Sequence, residues 1–333
     1  MRRQPTRALR AFRRADPGAV HIGLVNNMPD AALEATERQF GRLLRAAAGA
    51  IPVRLSLFAV AEVPRSAEAR HRIERLYSPI DALWETHLDG LIVTGAEPCA
   101  PTLQEEPYWE SLARLIDWAE YHTHSSIWSC LAAHAAVLHI DGICRQRRAG
   151  KLFGVFESAV ADHFLTAGAA ARVRMPHSRW NGLPQEALTA NGYRILTQSE
   201  PTGADAFVKQ RHSLFVFFQG HPEYEAATLL REYRRDVRRF LKGQVESYPS
   251  MPHGYFGEDT VSVLNAMRSE VLAERSEECL AAFPWESLTA KVRNTWRPAA
   301  VTMYHNWLHY LSVRKEQRLD AESQPATALA ESA

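Results

Sequence analysis

Short apolar runs alternate with stretches of helical periodicity along most of this chain. A run such as Val20–Val25 is brief and is followed by turn residues, which is typical of a buried strand. Between Tyr108 and His122 the apolar positions recur every three or four residues, which is typical of a helix with one buried face. Strands are predicted at Val20–Val25, Val53–Val60, Leu88–Val93, Ser125–Ser129 and Leu214–Phe218, and helices at Glu34–Ala48, Tyr108–His122, Leu131–Leu138, Tyr224–Lys242, Thr260–Ala273 and Pro298–Val313.

This alternation predicts an α/β fold in which a parallel sheet is sandwiched by helices. The segment from Lys151 to Ser213 is less regular and is expected to hold short strands and turns. Ligands of parallel sheets bind beyond the carboxyl ends of the strands. Functional residues are therefore expected where the predicted strands end.

The two ends of the chain differ from its middle. Met1–Arg14 is rich in arginine, lacks acidic residues and has no apolar segment after it, which does not fit a signal peptide. We expect residues 1–18 to form a flexible arm, residues 19–318 a single domain, and residues 319–333 a disordered tail. No apolar stretch is long enough to span a bilayer, and a cytoplasmic location is predicted.

Composition and charge narrow the class of protein. The 333 residues are 46% hydrophobic and 23% charged, as in ordinary globular proteins, and the formal net charge is +1. A near-zero charge argues against nucleic acid or an anionic membrane as the partner. The cysteines lie far apart without a CxxC pair, which disfavours a zinc site or a disulfide framework and favours a reducing compartment. They are Cys99, Cys130, Cys144 and Cys279, of which Cys144 and Cys279 are expected to be structural.

Cys130 lies where a predicted strand turns into a predicted helix. The N-terminus of a helix stabilises an anion, so a thiol there loses its proton more easily and becomes a nucleophile. His221 and Glu223 follow a second predicted strand, Leu214–Phe218, and could supply a base and the carboxylate that orients it. The alternative is structural, because a buried cysteine is usually a small apolar residue and a His–Glu pair can simply close a turn.

Several histidines lie near Cys130 in the sequence. The spacing of His122, His124, His134 and His139 matches no standard metal site, and no metal is predicted. His134 lies on an alanine-rich face, where a packed core residue is expected.

Three motifs around Cys130 indicate a family. Asp89–Ala96, Pro176–Arg179 and Gly220–Tyr224 resemble motifs of the homoserine O-acyltransferases, specifically the succinyltransferase type of methionine biosynthesis. The resemblance continues through Arg231–Asp236, Gly254–Phe256 and Asn306–Leu308, and covers residues 20–313 in one order. It implies a class I glutamine-amidotransferase-like fold.

The resemblance also implies a reaction, in which an acyl group moves from coenzyme A to the hydroxyl of L-homoserine. Cys130 would carry the acyl group, His221 would act as base, and Glu223 would orient His221. The resemblance further implies substrate contacts at Lys151, Ser178 and Arg235, and oxyanion donors in the backbone N–H groups of Leu131 and Ala96. No cofactor is implied beyond the acyl-CoA co-substrate, and a homodimer is expected.

The identity of the acyl group depends on Cys99. In the family a glutamate at this position accompanies acetyl transfer and a glycine accompanies succinyl transfer. Cysteine is small and uncharged and leaves room for a succinyl carboxylate, so succinyl-CoA is the predicted donor. The alternatives are acetyl-CoA as donor, serine as acceptor, a glutamine amidotransferase-type hydrolase, and an inactive sensor of coenzyme A thioesters.

Overall fold

The computed structural model describes residues 18–275 and 284–323. The predicted arm, apart from Gly18, and Cys279 lie outside these ranges, as does the predicted tail from residue 324 onward. The start of that tail is corrected, because the last helix continues to Ser323.

A nine-stranded sheet forms the centre of the described chain, in the order β2-β1-β3-β4-β9-β8-β7-β5-β6. The strands are β1 Val20–Val25, β2 Val53–Phe58, β3 Gly90–Val93, β4 Ser125–Ser129, β5 Gln146–Val160, β6 Arg172–Gly182, β7 Arg194–Ser199, β8 Gly203–Gln210 and β9 Leu214–Phe218. The predicted bounds of β1, β4 and β9 are confirmed, whereas β2 ends earlier and β3 begins later than predicted.

Helices cover both faces of this sheet, which confirms the predicted α/β class. They are α1 Asp30–Ala48, α2 Ala67–Leu76, α3 Ile80–Trp84, α4 Trp109–His122, α5 Leu131–Asp141, α6 Gln185–Ala190, α7 Thr228–Leu241, α8 Glu258–Ala273, α9 Trp285–Lys291 and α10 Arg297–Ser323. Apolar residues of α4 and α5 pack on one face, and those of α1 and α10 on the other. The short helices α2, α3, α6 and α9 were not predicted.

The sheet is parallel over only half of its width. Strands β2, β1, β3, β4 and β9 are parallel neighbours. From β9 outward, β8, β7, β5 and β6 pair in antiparallel fashion, which corrects the expectation of a parallel sheet. The difference has a physical reason: residues 146–218 are strands joined mainly by short turns, and antiparallel pairs need no crossover helix.

The long helix α10 closes one face of the parallel half. Trp307 is 1% exposed, and its indole N–H donates to Ser125 Oγ at 2.9 Å. The helix lies so close to β3 that a Cβ at Gly90 would stand 2.9 Å from the Trp307 ring. Among the described helices, none is both long and apolar enough to cross a bilayer.

Candidate active site

Cys130 forms a sharp turn between β4 and α5. Its φ of 53° is the only positive value of a non-glycine residue in the described ranges. An L-residue adopts this conformation only where its surroundings enforce it. Here the Cys130 N–H donates to the carbonyl of Phe218 at 2.7 Å, which fixes the turn against β9. The half-buried thiol therefore stands at the N-terminus of α5, as the sequence predicted.

His221 and Glu223 follow β9, the strand that pairs with β4. The His221 Nδ1 atom lies 2.9 Å from Glu223 Oε1, and both residues are buried. The Cys130 sulfur lies close enough to the His221 imidazole to interact with it directly. Because Glu223 occupies Nδ1, Nε2 is the nitrogen available to the thiol. The structure thus brings together the three residues that the sequence predicted as a triad.

The electrostatics of this arrangement favour a protonated imidazole. Burial by itself lowers the pKa of His221, but the negative charges of Glu223 and of the Cys130 sulfur raise it well above its ordinary value. An imidazole with a raised pKa accepts a proton readily. The geometry therefore suits transfer of the thiol proton to His221.

A buried aspartate holds the turn that carries His221. Asp205 is fully buried, and its Oδ1 accepts the Gly220 N–H at 3.0 Å. Its Oδ2 accepts the Thr197 hydroxyl at 3.0 Å, and its backbone carbonyl accepts the Gln219 N–H at 2.8 Å. A Cβ at Gly220 would lie 2.7 Å from Asp205 Oδ1, so only glycine allows this approach. Sequence reasoning missed Asp205, which lies in an irregular segment without a motif.

The backbone around Cys130 leaves room for an oxyanion. Leu131 is the first residue of α5, where a backbone N–H has no partner within the helix. Gly95, which follows β3, lies next to this N–H group. A Cβ at position 95 would lie 3.2 Å from the Leu131 nitrogen. Ala96, half-buried, comes next. The missing side chain of Gly95 therefore keeps the Leu131 N–H open to a ligand.

The predicted substrate contacts Lys151, Ser178 and Arg235 lie together in a charged pocket. The Lys151 ammonium lies 2.8 Å from Asp236, and the Arg235 Nε donates to the same carboxylate at 2.9 Å. The Ser178 hydroxyl donates to Glu232, whose other oxygen accepts the Tyr224 hydroxyl at 2.7 Å.

Tyr224 connects this pocket to the triad. Its ring stacks on the His221 ring with centroids 4.2 Å apart. The sequence supplied no role for Tyr224, Glu232 or Asp236. The spacing of Glu232, Arg235 and Asp236, which lie on one helix face, is a signal that could have identified the pocket.

Cys99 lies in the loop after β3, beside a buried carboxylate. Glu106 is 3% exposed and accepts the backbone N–H groups of Cys99 and Ala100 at 3.0 and 3.1 Å. Half-buried Arg145 is close enough to Glu106 and to Cys130 for direct electrostatic interaction. Within the described ranges, Arg145 makes no hydrogen bond or ion pair. Arg145 is thus close both to the nucleophile and to Glu106, the carboxylate that binds the backbone of Cys99.

A group of metal-ligand residues lies at the opposite edge of the sheet. His87, Asp89 and His124 place ligand atoms within 4.8 Å of one another. Asp89, however, is already paired with Lys315 at 2.9 Å and with Arg318 at 3.6 Å. These cations oppose binding of a metal ion. His134, as expected, is a core residue whose Nε2 contacts Gln219 at 2.9 Å.

Comparison with known proteins decides the family. The family model described as homoserine O-succinyltransferase matches residues 7–318. The chain belongs to the homoserine O-succinyltransferase family. A homoserine O-succinyltransferase of Rhodopseudomonas palustris is 50% identical over 297 residues, or 89% of each chain. One from Bradyrhizobium japonicum is 46% identical over 302 residues, or 90% of this chain and 92% of the relative.

Solved structures at low sequence identity are also similar to this homoserine O-succinyltransferase family member. A glutamine amidotransferase from Thermotoga maritima matches with a TM-score of 0.49 and 12% identity, covering 88% of this chain and 98% of that one.

Proposed function

We propose that this protein transfers a succinyl group from succinyl-CoA to the hydroxyl of L-homoserine through a thioester on Cys130. Family membership supports the overall reaction. The observation that supports the covalent route is the His221–Glu223 hydrogen bond, with the Cys130 sulfur at the N-terminus of α5 close enough to His221 to interact with it. A nucleophile, a base and an orienting carboxylate are the groups that acyl transfer through a covalent intermediate needs.

In the first half of the reaction, His221 takes the proton of the Cys130 thiol and the sulfur attacks the thioester carbonyl. The N–H groups of Leu131 and Ala96 stabilise the negative oxygen of the tetrahedral intermediate. The bond between the acyl carbon and the coenzyme A sulfur then breaks. His221 returns its proton to that sulfur, and the succinyl group remains on Cys130.

In the second half, His221 takes the hydroxyl proton of homoserine as the oxygen attacks the acyl-Cys130 thioester. The bond to Cys130 breaks, the Cys130 sulfur recovers the proton through His221, and O-succinylhomoserine leaves. A single base therefore serves both halves, and ping-pong kinetics are expected.

The charged pocket suits an amino-acid acceptor. The Arg235 side chain is 57% exposed, and its guanidinium can pair with the homoserine α-carboxylate. Glu232 and Asp236 offer carboxylates to the α-ammonium, while Lys151 and Ser178 hold those carboxylates in place. The pocket binds the α-carboxylate and the α-ammonium, which homoserine and serine have in common. The choice between them therefore depends on the distance from these groups to the hydroxyl that must reach Cys130.

Arg145 supports succinyl rather than acetyl as the acyl group. The carboxylate of a succinyl thioester ends roughly 5 Å from the sulfur, given ordinary bond lengths. Arg145 is a cation near Cys130 that could bind this carboxylate, whereas an acetyl group has no charge to offer it. The uncharged Cys99 nearby adds no repulsion.

Mass measurement of the intact protein tests the proposal. After incubation with succinyl-CoA without acceptor, we expect one succinyl group per chain, which is lost when homoserine is added. Cys130→Ala should abolish the adduct, whereas Cys144→Ala, which removes an exposed thiol, should retain it. An adduct that persists in Cys130→Ala would exclude the thioester. Release of ammonia from glutamine without any adduct would instead indicate an amidotransferase.

We also propose that the protein is a cytoplasmic homodimer, as the family resemblance implies. Light scattering on the purified protein measures its mass directly, and the mass of a single chain would contradict the dimer.

A further inference from the structure

An exposed aromatic ring and an arginine form a pair beside the charged pocket. Trp180, on β6, is 46% exposed, although both its neighbours on the strand are at least partly covered. The Arg147 guanidinium carbon lies 5.2 Å from the centre of the Trp180 ring. Neither residue has a role in the reaction described above.

The strand geometry places this pair at the edge of the pocket. Side chains two residues apart on a strand share a face and lie about 7 Å apart. Trp180 therefore lies on the same face of β6 as Ser178, which contacts Glu232. Arg147 lies on the neighbouring strand β5, where a register shift separates it from Lys151, and its guanidinium reaches the Trp180 ring.

The strand segments that carry this pair contain basic residues and no acidic residue of their own. No acidic residue occurs between Arg145 and Phe153 or along β6. Arg148 is engaged, since its Nη2 donates to the Pro201 carbonyl at 2.7 Å. The Arg147 guanidinium, in contrast, has no hydrogen bond or ion pair in the part of the chain that the structure describes. Its only contact there is the Trp180 ring.

We propose that Trp180 and Arg147 bind the phosphorylated adenosine end of the acyl-CoA donor. The adenine ring would stack on Trp180, as bases stack on exposed aromatic side chains. A phosphate of the donor would pair with Arg147, because a guanidinium matches phosphate oxygens. The same series of basic residues begins with Arg145 next to Cys130, so the donor would extend outward from the nucleophile along this edge. This inference rests on the proposed function, which supplies the donor.

Two thioester donors, one with the nucleotide and one without it, test whether the two residues bind the nucleotide. Succinyl-CoA carries the nucleotide, and succinyl-N-acetylcysteamine keeps the thioester without it. We expect Arg147→Glu to raise KM for succinyl-CoA about tenfold or more, with kcat and KM for homoserine unchanged. Trp180→Ala should raise the same KM at least about fivefold through the loss of stacking. With the short donor, both variants should have the kcat/KM of the unaltered protein.

Arg45→Glu provides a matched control. This variant makes the same charge change at an exposed position in the last turn of α1. That end of α1 lies near the amino ends of the strands, away from Cys130. If Arg147→Glu behaves like Arg45→Glu, or if its loss is equal with both donors, the inference is wrong. Failure of the unaltered protein to accept either donor would instead overturn the proposed function.

Discussion

Single residues in this site have properties that depend on neighbours distant in sequence. Cys130 and His221 were predicted because each follows a recognisable strand, and His221 also stands in a family motif. Arg145 was not, because an arginine after a helix is usually solvated and nothing local marks it. Only the folded chain places its guanidinium close to Cys130 and Glu106.

The contribution of Arg145 is testable through the charge of the acyl group. Arg145→Gln should lower kcat/KM for succinyl-CoA about tenfold or more, through the loss of a charged hydrogen bond, and should leave acetyl-CoA nearly unaffected. Arg145→Lys should retain part of the preference because the charge remains. Cys99→Glu should shift the preference in the same direction as Arg145→Gln by adding a repelling carboxylate. Steady-state kinetics with both donors measure the ratio, and equal losses for both would contradict the assignment.

Asp205 gives a prediction on the pH dependence of stability. Burial raises the pKa of this carboxyl from 3.8 to about 6. The folded protein therefore binds the proton more tightly, and this contribution to stability is fully present below pH 3.8 and is lost as the pH rises through about 6. The shift corresponds to about 3 kcal/mol between these limits.

Asp205→Asn mimics the protonated carboxyl and should remove this contribution to the pH dependence. Between pH 4 and pH 7, which cover most of the titration of this group, its free energy of unfolding should fall by about 2 kcal/mol less than that of the unaltered protein. Urea unfolding at several pH values measures the difference. Asp320→Asn, at an exposed position, is the control and should leave the pH profile unchanged. Parallel profiles for Asp205→Asn and the unaltered protein would show that Asp205 does not titrate in this range.

At the scale of elements, the site depends on how β3, β4 and β9 end side by side. Each carries one part: Gly95 and Ala96 follow β3, Cys130 follows β4, and His221 follows β9. Since these strands are parallel neighbours, their carboxyl ends share one edge. The sequence predicted this arrangement because the strands are short, apolar and clearly bounded.

A substitution next to the Cys130 turn tests the oxyanion donors. A Cβ at Gly95 would lie 3.1 Å from Leu131 Cβ and 3.2 Å from the Leu131 nitrogen, and so would crowd the proposed oxyanion position. We expect Gly95→Ala to lower kcat about 100-fold, similar to the loss of one oxyanion donor, with little change in KM.

Gly41→Ala is the matched control for this change. Gly41 lies within α1, where an added Cβ meets no atom within 4 Å, so kcat should be unchanged. Helix propensity predicts a slight gain in stability there. If kcat is the same for Gly95→Ala and Gly41→Ala, the Leu131 N–H is not an oxyanion donor.

At the scale of the whole molecule, the two halves of the sheet have different roles. The parallel half carries Cys130 and the proposed oxyanion donors. The antiparallel half carries Lys151, Ser178 and the Asp205 carboxylate that supports His221. Ser178 is connected to the triad through Glu232 and Tyr224, whose ring stacks on His221.

The C-terminal helix stabilises the parallel half at a distance from the site. Trp307 is buried against β3 and β4 and donates to Ser125. Trp307→Ala should reduce the free energy of unfolding by about 3–5 kcal/mol, since it removes a large buried side chain and leaves a cavity. Tyr121→Ala, at a ring that is 63% exposed, should change it by less than about 1 kcal/mol. Similar unfolding midpoints in urea for the two variants would contradict this role of α10.

The sequence by itself determined the α/β class and the strands at the centre of the sheet, and it predicted Cys130, His221 and Glu223 as a triad. These features depend on local periodicity and on motifs of adjacent residues, which a sequence displays directly. The tertiary structure alone decided the antiparallel half of the sheet and the positions of Arg145, Asp205 and the Trp180–Arg147 pair. Strand pairing and electrostatic contact depend on residues that are far apart in the chain, so no local pattern could specify them.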